Sequence, residues 1–523
     1  MAFVITQNCC TDASCVPVCP VDCIRPVPGE DTVAPPMLYI DPTTCVDCGA
    51  CVAVCPVDAI RHEDELGSQA RFAGINAAYF AGRPLTIRPM PAGRPSATHG
   101  TPRVAVVGAG PAACYAVSDL VHNGAEVNLF ERLPTPFGLI RAGVAPDHQR
   151  TKEIASTFAA ELGRSDVRGF FNVDVGTDIG HDELMTHHDA VIYAVGASQS
   201  RMLGIPGEEL PGSHAAADVV AWYNGHPDRA DLRLDVSGPR VVIVGNGNVA
   251  LDVARIFVMD RQDLAATDIA ESALTALRDS SIEEVIVLGR RGAGDAAFST
   301  GELLALGALP GVDVVIRGEV GQRPDDFERA MTFDIVAEMA GRTPTPGHRR
   351  IVLWFGARPV EICGRDAVES VVIESGGEST SIETPIVLRS IGYRGVPVPG
   401  LPFDDASGTI PNDSGRVLED GKPLPGVYVT GWIKRGPRGV IGTNRTCARE
   451  TVNALLDDVQ AGLPVTGRDS SELVALLESR HVETVDWSGW LSIDTEERAR
   501  GAELSRPRLK LTDRAALVDA ASR

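Results

Sequence analysis

A twofold run of cysteines at the front of this chain constrains it most. CVPVCPVDCI (15–24) returns thirty-six residues later as CVAVCPVDAI (51–60), identical at eight of ten positions. Extending the register backwards pairs Cys9 with Cys45 and Asp12 with Cys48. The second unit reads Cys45-x2-Cys48-x2-Cys51-x3-Cys55-Pro56; the first reads Cys9-x2-Asp12-x2-Cys15-x3-Cys19-Pro20, with an aspartate in one thiolate's place. Nine of the twelve cysteines fall before residue 56, and Cys114, Cys363 and Cys447 beyond it read as buried apolar residues. In a short secreted chain such density means disulfides, but x2 spacing in a chain of 523 residues means metal.

C-x2-C-x2-C-x3-C-P is the bacterial ferredoxin run, in which the fourth cysteine serves the other cluster. One 4Fe–4S cluster is therefore expected on Cys45, Cys48, Cys51 and Cys19. The other site has Cys9, Cys15 and Cys55, with Asp12 at the fourth corner. A carboxylate is a harder, weaker partner for iron in a sulfide cluster than thiolate is. The expectation there is 3Fe–4S, or a 4Fe–4S that loses iron easily, with Cys10 as an alternative donor. Cys23 aligns with Ala59 and is left out as a ligand. Zinc is the competing reading, but zinc sites seldom need eight ligand positions in a twofold repeat. Residues 1–62 resemble the seven-iron ferredoxins.

The bulk composition sets the rest of the frame. Hydrophobic content of 44% and charge of 23% suit a soluble globular protein, and the length calls for several domains. No apolar run approaches the roughly 20 residues of a membrane span, and MAFVITQNCC does not read as a secretory signal. The expected location is cytoplasmic. A net charge of −22 argues against nucleic acid and anionic membranes as partners. Residues 63–101, rich in Pro, Arg and Gly towards their end, read as a linker, with a short helix within ELGSQARFAGINAAYFAG packed on the front module.

At 103–113 an apolar strand runs into Gly108-x-Gly110-x-x-Ala113 and then a helix. The first glycine makes the tight turn, the second admits a pyrophosphate, and Ala113 allows close helix–strand packing. The next strand, AEVNLFE, ends in Glu131, a carboxylate placed for a ribose diol. The device recurs at Gly245-x-Gly247-x-x-Ala250, but its next strand, EEVIVLG, ends in Arg290 and Arg291. Two guanidiniums there fit a 2′-phosphate, hence NADP rather than NAD. The long gap before them is expected to hold a helical insertion, QDLAATDIAESALTALRD. Two different nucleotide folds in one chain imply FAD first and NADPH second.

Residues 102–523 resemble the adrenodoxin-reductase type of ferredoxin–NADP reductase. The resemblance rests on PTPFGLIRAGVAPDHQRTK (134–152), IPGEELPG (205–212), WYNGHP (222–227), GNGNVALDVAR (245–255), GRRG (289–292), SIGYRGVPVPGLPFD (390–404) and GWIKRGPRGVIGTN (431–444). The whole chain resembles the actinobacterial fusion of a seven-iron ferredoxin to such a reductase. The implied fold is an α+β ferredoxin-like two-cluster domain (1–62) and linker (63–101), then an α/β reductase with two Rossmann-like domains. In it the NADP domain (199–385) is inserted between the two parts of the FAD domain (102–198 and 386–523). The resemblance places Leu139 and Val175 beside Gly108, Ala109 and Glu131 at the flavin nucleotide, and Trp432 with Gly439, Val440 and Ile441 over the isoalloxazine. Asn246, Gly247, Asn248, Val249, Arg290, Arg291 and Glu302 would hold NADPH, with His148 and Glu302 near the nicotinamide. His148 has orientation or acid/base work open to it, and Glu302 also reads as an acid at a helix N-terminus.

The module order is itself a mechanism: NADPH, FAD, iron–sulfur clusters, then an external one-electron acceptor such as a ferredoxin or haem mono-oxygenase system. Lys434, Arg435 and Arg438 are candidates for docking the acidic front module. Rival readings are an electron-feeding subunit of a larger synthase and an iron–sulfur redox sensor. A flavin disulfide reductase is disfavoured because the body lacks a C-x2-C or C-x4-C pair.

Overall fold

The cysteine repeat is written into the backbone of the computed structural model, which describes residues 2–27, 36–83, 85, 101–465 and 471–523. Thr11 and Asp47 (φ 55° and 56°), Ala13 and Gly49 (61° and 70°), and Asp22 and Asp58 (49° and 49°) share left-handed conformations at corresponding positions. Single-turn helices Cys15–Val18 and Ala50–Ala53 stand at matching places before the two Cys-Pro steps. Phe3–Ile5 pairs antiparallel with Ile60–His62, and Ile24–Arg25 with Tyr39–Ile40. Helix Arg71–Phe80 locks these ribbons together as the sequence suggests. Its buried Asn76 accepts from the backbone N–H of Ile5 (3.2 Å) and Ile40 (2.8 Å) and donates to Ile5 O (2.9 Å). The extended linker expected to follow lies, from 86 to 100, outside the described residues.

The body is built on two sheets. RVAVV (Arg103–Val107) is apolar at successive positions because a parallel central strand is covered on both faces. Its sheet runs Asn412–Asp413, Arg416–Glu419, Lys422–Val429, Ala190–Tyr193, Arg103–Val107, Glu126–Glu131, Val167–Phe171. The second, all parallel, runs Ser213–Ala215, Val387–Arg389, Arg240–Val244, Glu284–Gly289, Arg349–Phe355, Val312–Gly318. Strands from 103–193 and 412–429 thus share the first sheet, and those from 213–355 with Val387–Arg389 share the second. The chain passes between them along a short antiparallel pair, Gln199–Ser200 with Tyr393–Arg394. The expected insertion is two helices, Arg261–Ala265 and Glu271–Arg278. A three-stranded antiparallel sheet, Ala357–Cys363, Ser370–Ser375 and Glu378–Glu383, joins the second half without a clear sign in the sequence.

The C-terminal segment does more than pack on the first half. Helix Trp487–Ala502 buries Glu497 against Arg141 (2.5 Å) and Arg508 (3.0 Å). Beyond it, Arg506 donates to Thr267 O (2.9 Å) and pairs with Glu271 (2.8 Å), while Lys510 pairs with buried Asp268 (2.9 Å) in the second half. Among the described residues no helix is long and apolar enough to cross a membrane.

The front module lies across both halves. Cys10, Val57 and Ala59 share one continuous apolar core with the helix Pro111–His122 and the strand Arg103–Val107. On the other side Tyr39 and Tyr79 stack (4.3 Å) and meet Phe327 edge-on, while Arg71 pairs with Glu338 (2.9 Å).

Candidate redox site

Folding gathers the cysteines into the two sets that the spacing implies. One hollow is lined by Cys19, Cys45, Cys48 and Cys51, with Cys23 beside them; the other by Cys9, Cys10, Asp12, Cys15 and Cys55. The crossing of Cys19 and Cys55 between units is matched in detail. Cys19 Sγ accepts from the Cys23 N–H (3.4 Å) and Cys55 Sγ from the Ala59 N–H (3.2 Å). Burial, aided by neighbouring thiols, pushes Cys9 and Cys51 up to about 11, and Cys15 higher still. Crowded, dry thiols of this kind suit a cationic iron centre, whose binding would offset the cost of their ionisation. Cys23 Sγ lies 3.4 Å from Cys19 Sγ, a proximity that the alignment with Ala59 does not reveal.

Both nucleotide motifs solve one steric problem in the same way. A Cβ on Gly108 (φ 95°) would sit 2.7 Å from Ala194 O, and one on Gly245 (φ 107°) 2.2 Å from Ser390 O. Each glycine abuts the end of a neighbouring parallel strand, so no side chain can stand there. The helix after Gly110 opens with Pro111 at its first turn and carries Ala113 fully buried. Glu131 accepts from the backbone N–H of Ala109 (2.9 Å) and Leu133 (3.1 Å), while burial pushes its carboxyl up. Leu139 is 49% exposed just after Gly138, whose own Cβ position is 2.9 Å from Gly110 Cα. Tight glycines beside an exposed leucine fit a bound flavin nucleotide. Val175 is partly buried in the core of this half. Trp432 stacks on Tyr393 (5.9 Å, 18°), and Val440 N–H donates to Thr443 Oγ1 beside Gly439 and Ile441.

In the second half Asn248 Oδ1 accepts from the Ser299 N–H (2.8 Å), tying the glycine loop to the helix that carries Glu302. Asn246 lies over Gly289, where a Cβ would meet its amide at 2.6 Å, and Val249 packs on the core behind Gly247. Arg290 and Arg291 follow strand Glu284–Gly289 and are exposed, with Arg291 3.7 Å from Asp295. Their heads are therefore available to an anion.

Between the halves lies a buried ion cluster around a residue that the sequence did not single out. Arg255 donates to Asp147 (2.6 and 3.1 Å), Asp252 (2.7 Å), Glu302 (3.3 Å) and His148 Nε2 (2.9 Å). Burial opposes the Arg255 charge, but Asp252, Asp147 and Glu302 outweigh it and hold the guanidinium fully charged. A guanidinium only donates, so in this contact His148 Nε2 stands as an acceptor. His148, Asp252 and Glu302 converge closely enough to suggest a metal, yet all three already surround this fixed cation. Burial, then the Asp252 charge, push the Glu302 carboxyl up. The signal for Arg255 was present: it ends GNGNVALDVAR, two turns after the glycines, on the helix Asn248–Val258.

Two of the three cations suggested for docking serve elsewhere. Lys434 pairs with Glu450 (2.6 Å), and Arg435 donates to Arg438 O (2.7 Å) and Asn444 (2.9 Å) within the reductase part. Arg150 and Arg445 hold the front module instead, at Asp58 (2.6 Å) and at Asp12 O (2.9 Å).

The model of the pyridine nucleotide-disulphide oxidoreductase family matches residues 102–287, and that of the 4Fe-4S binding domain matches 38–61, the second cysteine unit. A probable ferredoxin/ferredoxin–NADP reductase of Mycobacterium tuberculosis is 46% identical over all of this chain and 95% of its own. The Mycobacterium leprae counterpart is 44% identical over all of this chain and 98% of its own. This chain belongs to the ferredoxin/ferredoxin–NADP reductase family. The solved structure of Mycobacterium tuberculosis FprA in complex with NADPH matches with 43% identity and a TM-score of 0.76, covering 81% of this chain and all of FprA. Within the family, therefore, the reductase part has a solved relative, and the cysteine-rich front is what the fused members add.

Proposed function

We propose that this chain is an NADPH–ferredoxin oxidoreductase with its own ferredoxin, taking hydride from NADPH and delivering single electrons to an external acceptor. FAD, when bound, supplies the conversion of an electron pair into single electrons, and iron–sulfur clusters carry these one at a time. The residues divide the work. Gly108, Ala109, Gly110 and Ala113 present a helix N-terminus to the flavin pyrophosphate, and Glu131 faces the ribose. Gly245, Asn246, Gly247, Asn248 and Val249 do the same for NADPH, while Arg290 and Arg291 select its 2′-phosphate. His148 and Glu302, fixed by Arg255, orient the nicotinamide. Cys19, Cys45, Cys48 and Cys51 would hold a 4Fe–4S cluster, and Cys9, Cys15 and Cys55 a 3Fe–4S. The separate sheet memberships of 213–355 with Val387–Arg389 and of 103–193 with 412–429 support an NADP domain inserted within the FAD domain.

One observation carries this reading. The Gly442 N–H donates to Cys10 O (2.8 Å), so the cysteine loop sits directly on the residues after Gly439–Ile441, the segment assigned to cover the flavin. The test is anaerobic EPR and absorbance of the purified chain before and after one equivalent of NADPH. Loss of a half-integer signal present in the oxidised protein, together with flavin bleaching, is expected. Bleached flavin with unchanged cluster signals would overturn the relay. The family resemblance and the one-electron chemistry support a ferredoxin or a haem mono-oxygenase system as the external acceptor.

A further inference from the structure

Position 12 and position 48 are equivalent in the repeat, yet their surroundings are opposite. Cys48 is exposed, whereas Asp12 is 8% exposed and turned into the reductase part. Asp12 Oδ2 accepts from the Tyr115 hydroxyl (2.7 Å). Its Oδ1 accepts from the Ser14 N–H (3.1 Å), the Ser14 hydroxyl and Arg445 Nη1 (3.3 Å). An ionised carboxylate offers about four lone-pair sites. Three donors crowd Oδ1 and one holds Oδ2, so an iron could reach this carboxylate only beside or in place of the Tyr115 hydroxyl.

The contact is also shaped to be permanent. Tyr115 lies on the helix that begins at the first glycine motif, and Arg445 on helix Thr443–Gln460. Arg445 Nη1 additionally donates to Asp12 O (2.9 Å) and Ser14 Oγ (2.7 Å). At Gly442 a Cβ would fall 2.1 Å from Thr11 C and 2.3 Å from Asp12 N, so the two backbones touch. A thiol at position 12 would accept weakly from Tyr115 and leave the Arg445 charge without its anion.

We propose that Asp12 is an interdomain clasp and not an iron ligand: it fastens the Cys9/Cys15/Cys55 site to Tyr115 and Arg445. The aspartate is then in the sequence for the sake of the reductase it binds, and the seated module keeps a fourth iron out. The proposal rests on the reading of the front module as a two-cluster ferredoxin.

The experiment uses the full chain and its variants Y115F, R445Q, R445K and D12C. Each is incubated anaerobically with ferrous ammonium sulfate and dithionite, and iron per chain and the EPR spin count of the reduced protein are followed in time. In the wild type both should rise only slowly. Y115F and R445Q should gain iron and spin about tenfold faster, the factor expected from losing a hydrogen bond to a charged group. R445K, which keeps the cation, should return towards the wild-type rate, and D12C should fill at once. If Y115F does not fold, the R445Q and R445K pair alone decides. Iron uptake by the wild type as fast as by R445Q would show that Asp12 ligates freely and would overturn the clasp while leaving the clusters in place. Absence of cluster signal and of stoichiometric iron in the wild type itself would overturn the ferredoxin reading and the clasp together.

Discussion

Arg255 Nη2 stands 2.9 Å from His148 Nε2, and this bond joins the two nucleotide-binding halves at the place where they face each other. The guanidinium is 2% exposed and shares its remaining donors among Asp147, Asp252 and Glu302. Replacing it leaves three carboxylates around an empty centre. Arg255→Met is expected to lower stability by about 3–5 kcal/mol, the range for breaking a buried ionic network on one side. Arg255→Lys keeps the charge but not the fork, and should fall between. Denaturant unfolding of the three proteins checks the order. NADPH-dependent flavin bleaching should slow in Arg255→Lys, because His148 and Glu302 lose their common anchor.

Arg290 and Arg291 are the groups proposed for the 2′-phosphate end of NADPH. Both are exposed at the end of the strand Glu284–Gly289. Removing both as R290A/R291A should raise the KM for NADPH by roughly 10–100-fold, the loss expected for charge-assisted bonds to phosphate. The KM for NADH should hardly change, since it has no 2′-phosphate. Steady-state kinetics with both nucleotides reads the difference directly, and a parallel loss for NADH would remove these arginines from the phosphate site.

What could be read in advance was whatever lies close in sequence. The cysteine runs and the two glycine motifs depend on fixed short spacings, and folding gathers the cysteines that those spacings imply, while Arg290 and Arg291 were read from their place at a strand's end. Arg255 was not read because its meaning lies in Asp147 and His148, more than a hundred residues away. Asp12 was recognised as an anomaly in the repeat, but Tyr115 and Arg445 belong to other elements and left no local trace. The same holds for docking. A run of Lys and Arg in GWIKRGPRG suggests a basic face, yet Glu450 pairs with Lys434 and Arg435 is turned to Asn444 within the reductase. The bridge made by Arg506 and Lys510 is equally silent, because their partners Thr267, Glu271 and Asp268 lie in the inserted helical stretch.

His188 sets an expected acid limit. It is 1% exposed, accepts from Asn128 Nδ2 through Nε2 (2.9 Å) and donates from Nδ1 to Leu184 O (2.7 Å). Burial lowers it from 6.5 to about 4, against the smaller opposing pull of the Leu184 carbonyl. Between those values the unfolded chain binds the proton and the folded chain does not, so stability falls as pH drops from 6.5 towards 4. The loss should approach about 3 kcal/mol once pH is below the folded value. Denaturant midpoints measured across this window should fall more steeply for the wild type than for His188→Gln. Equal slopes would mean that another group governs the acid limb.

Gly442 tests whether the front module must be seated for electrons to reach it. Its backbone is right-handed helical, so alanine meets no conformational penalty there; the obstacle is the ferredoxin loop, with Thr11 C 2.1 Å and Asp12 N 2.3 Å from the new Cβ. Both are main-chain atoms, unable to step aside as a flexible side chain would. Gly442→Ala must therefore lift the loop from Tyr115 and Arg445 and break the Gly442 N–H bond to Cys10 O. If the clusters relay electrons as proposed, NADPH-driven reduction of cytochrome c should fall, while reduction of ferricyanide at the flavin falls far less. Ferrous iron should at the same time enter the Cys9/Cys15/Cys55 site faster, because the clasp is open. If both acceptors lost rate equally, the defect would lie in the flavin half, and seating of the module would not be what limits transfer.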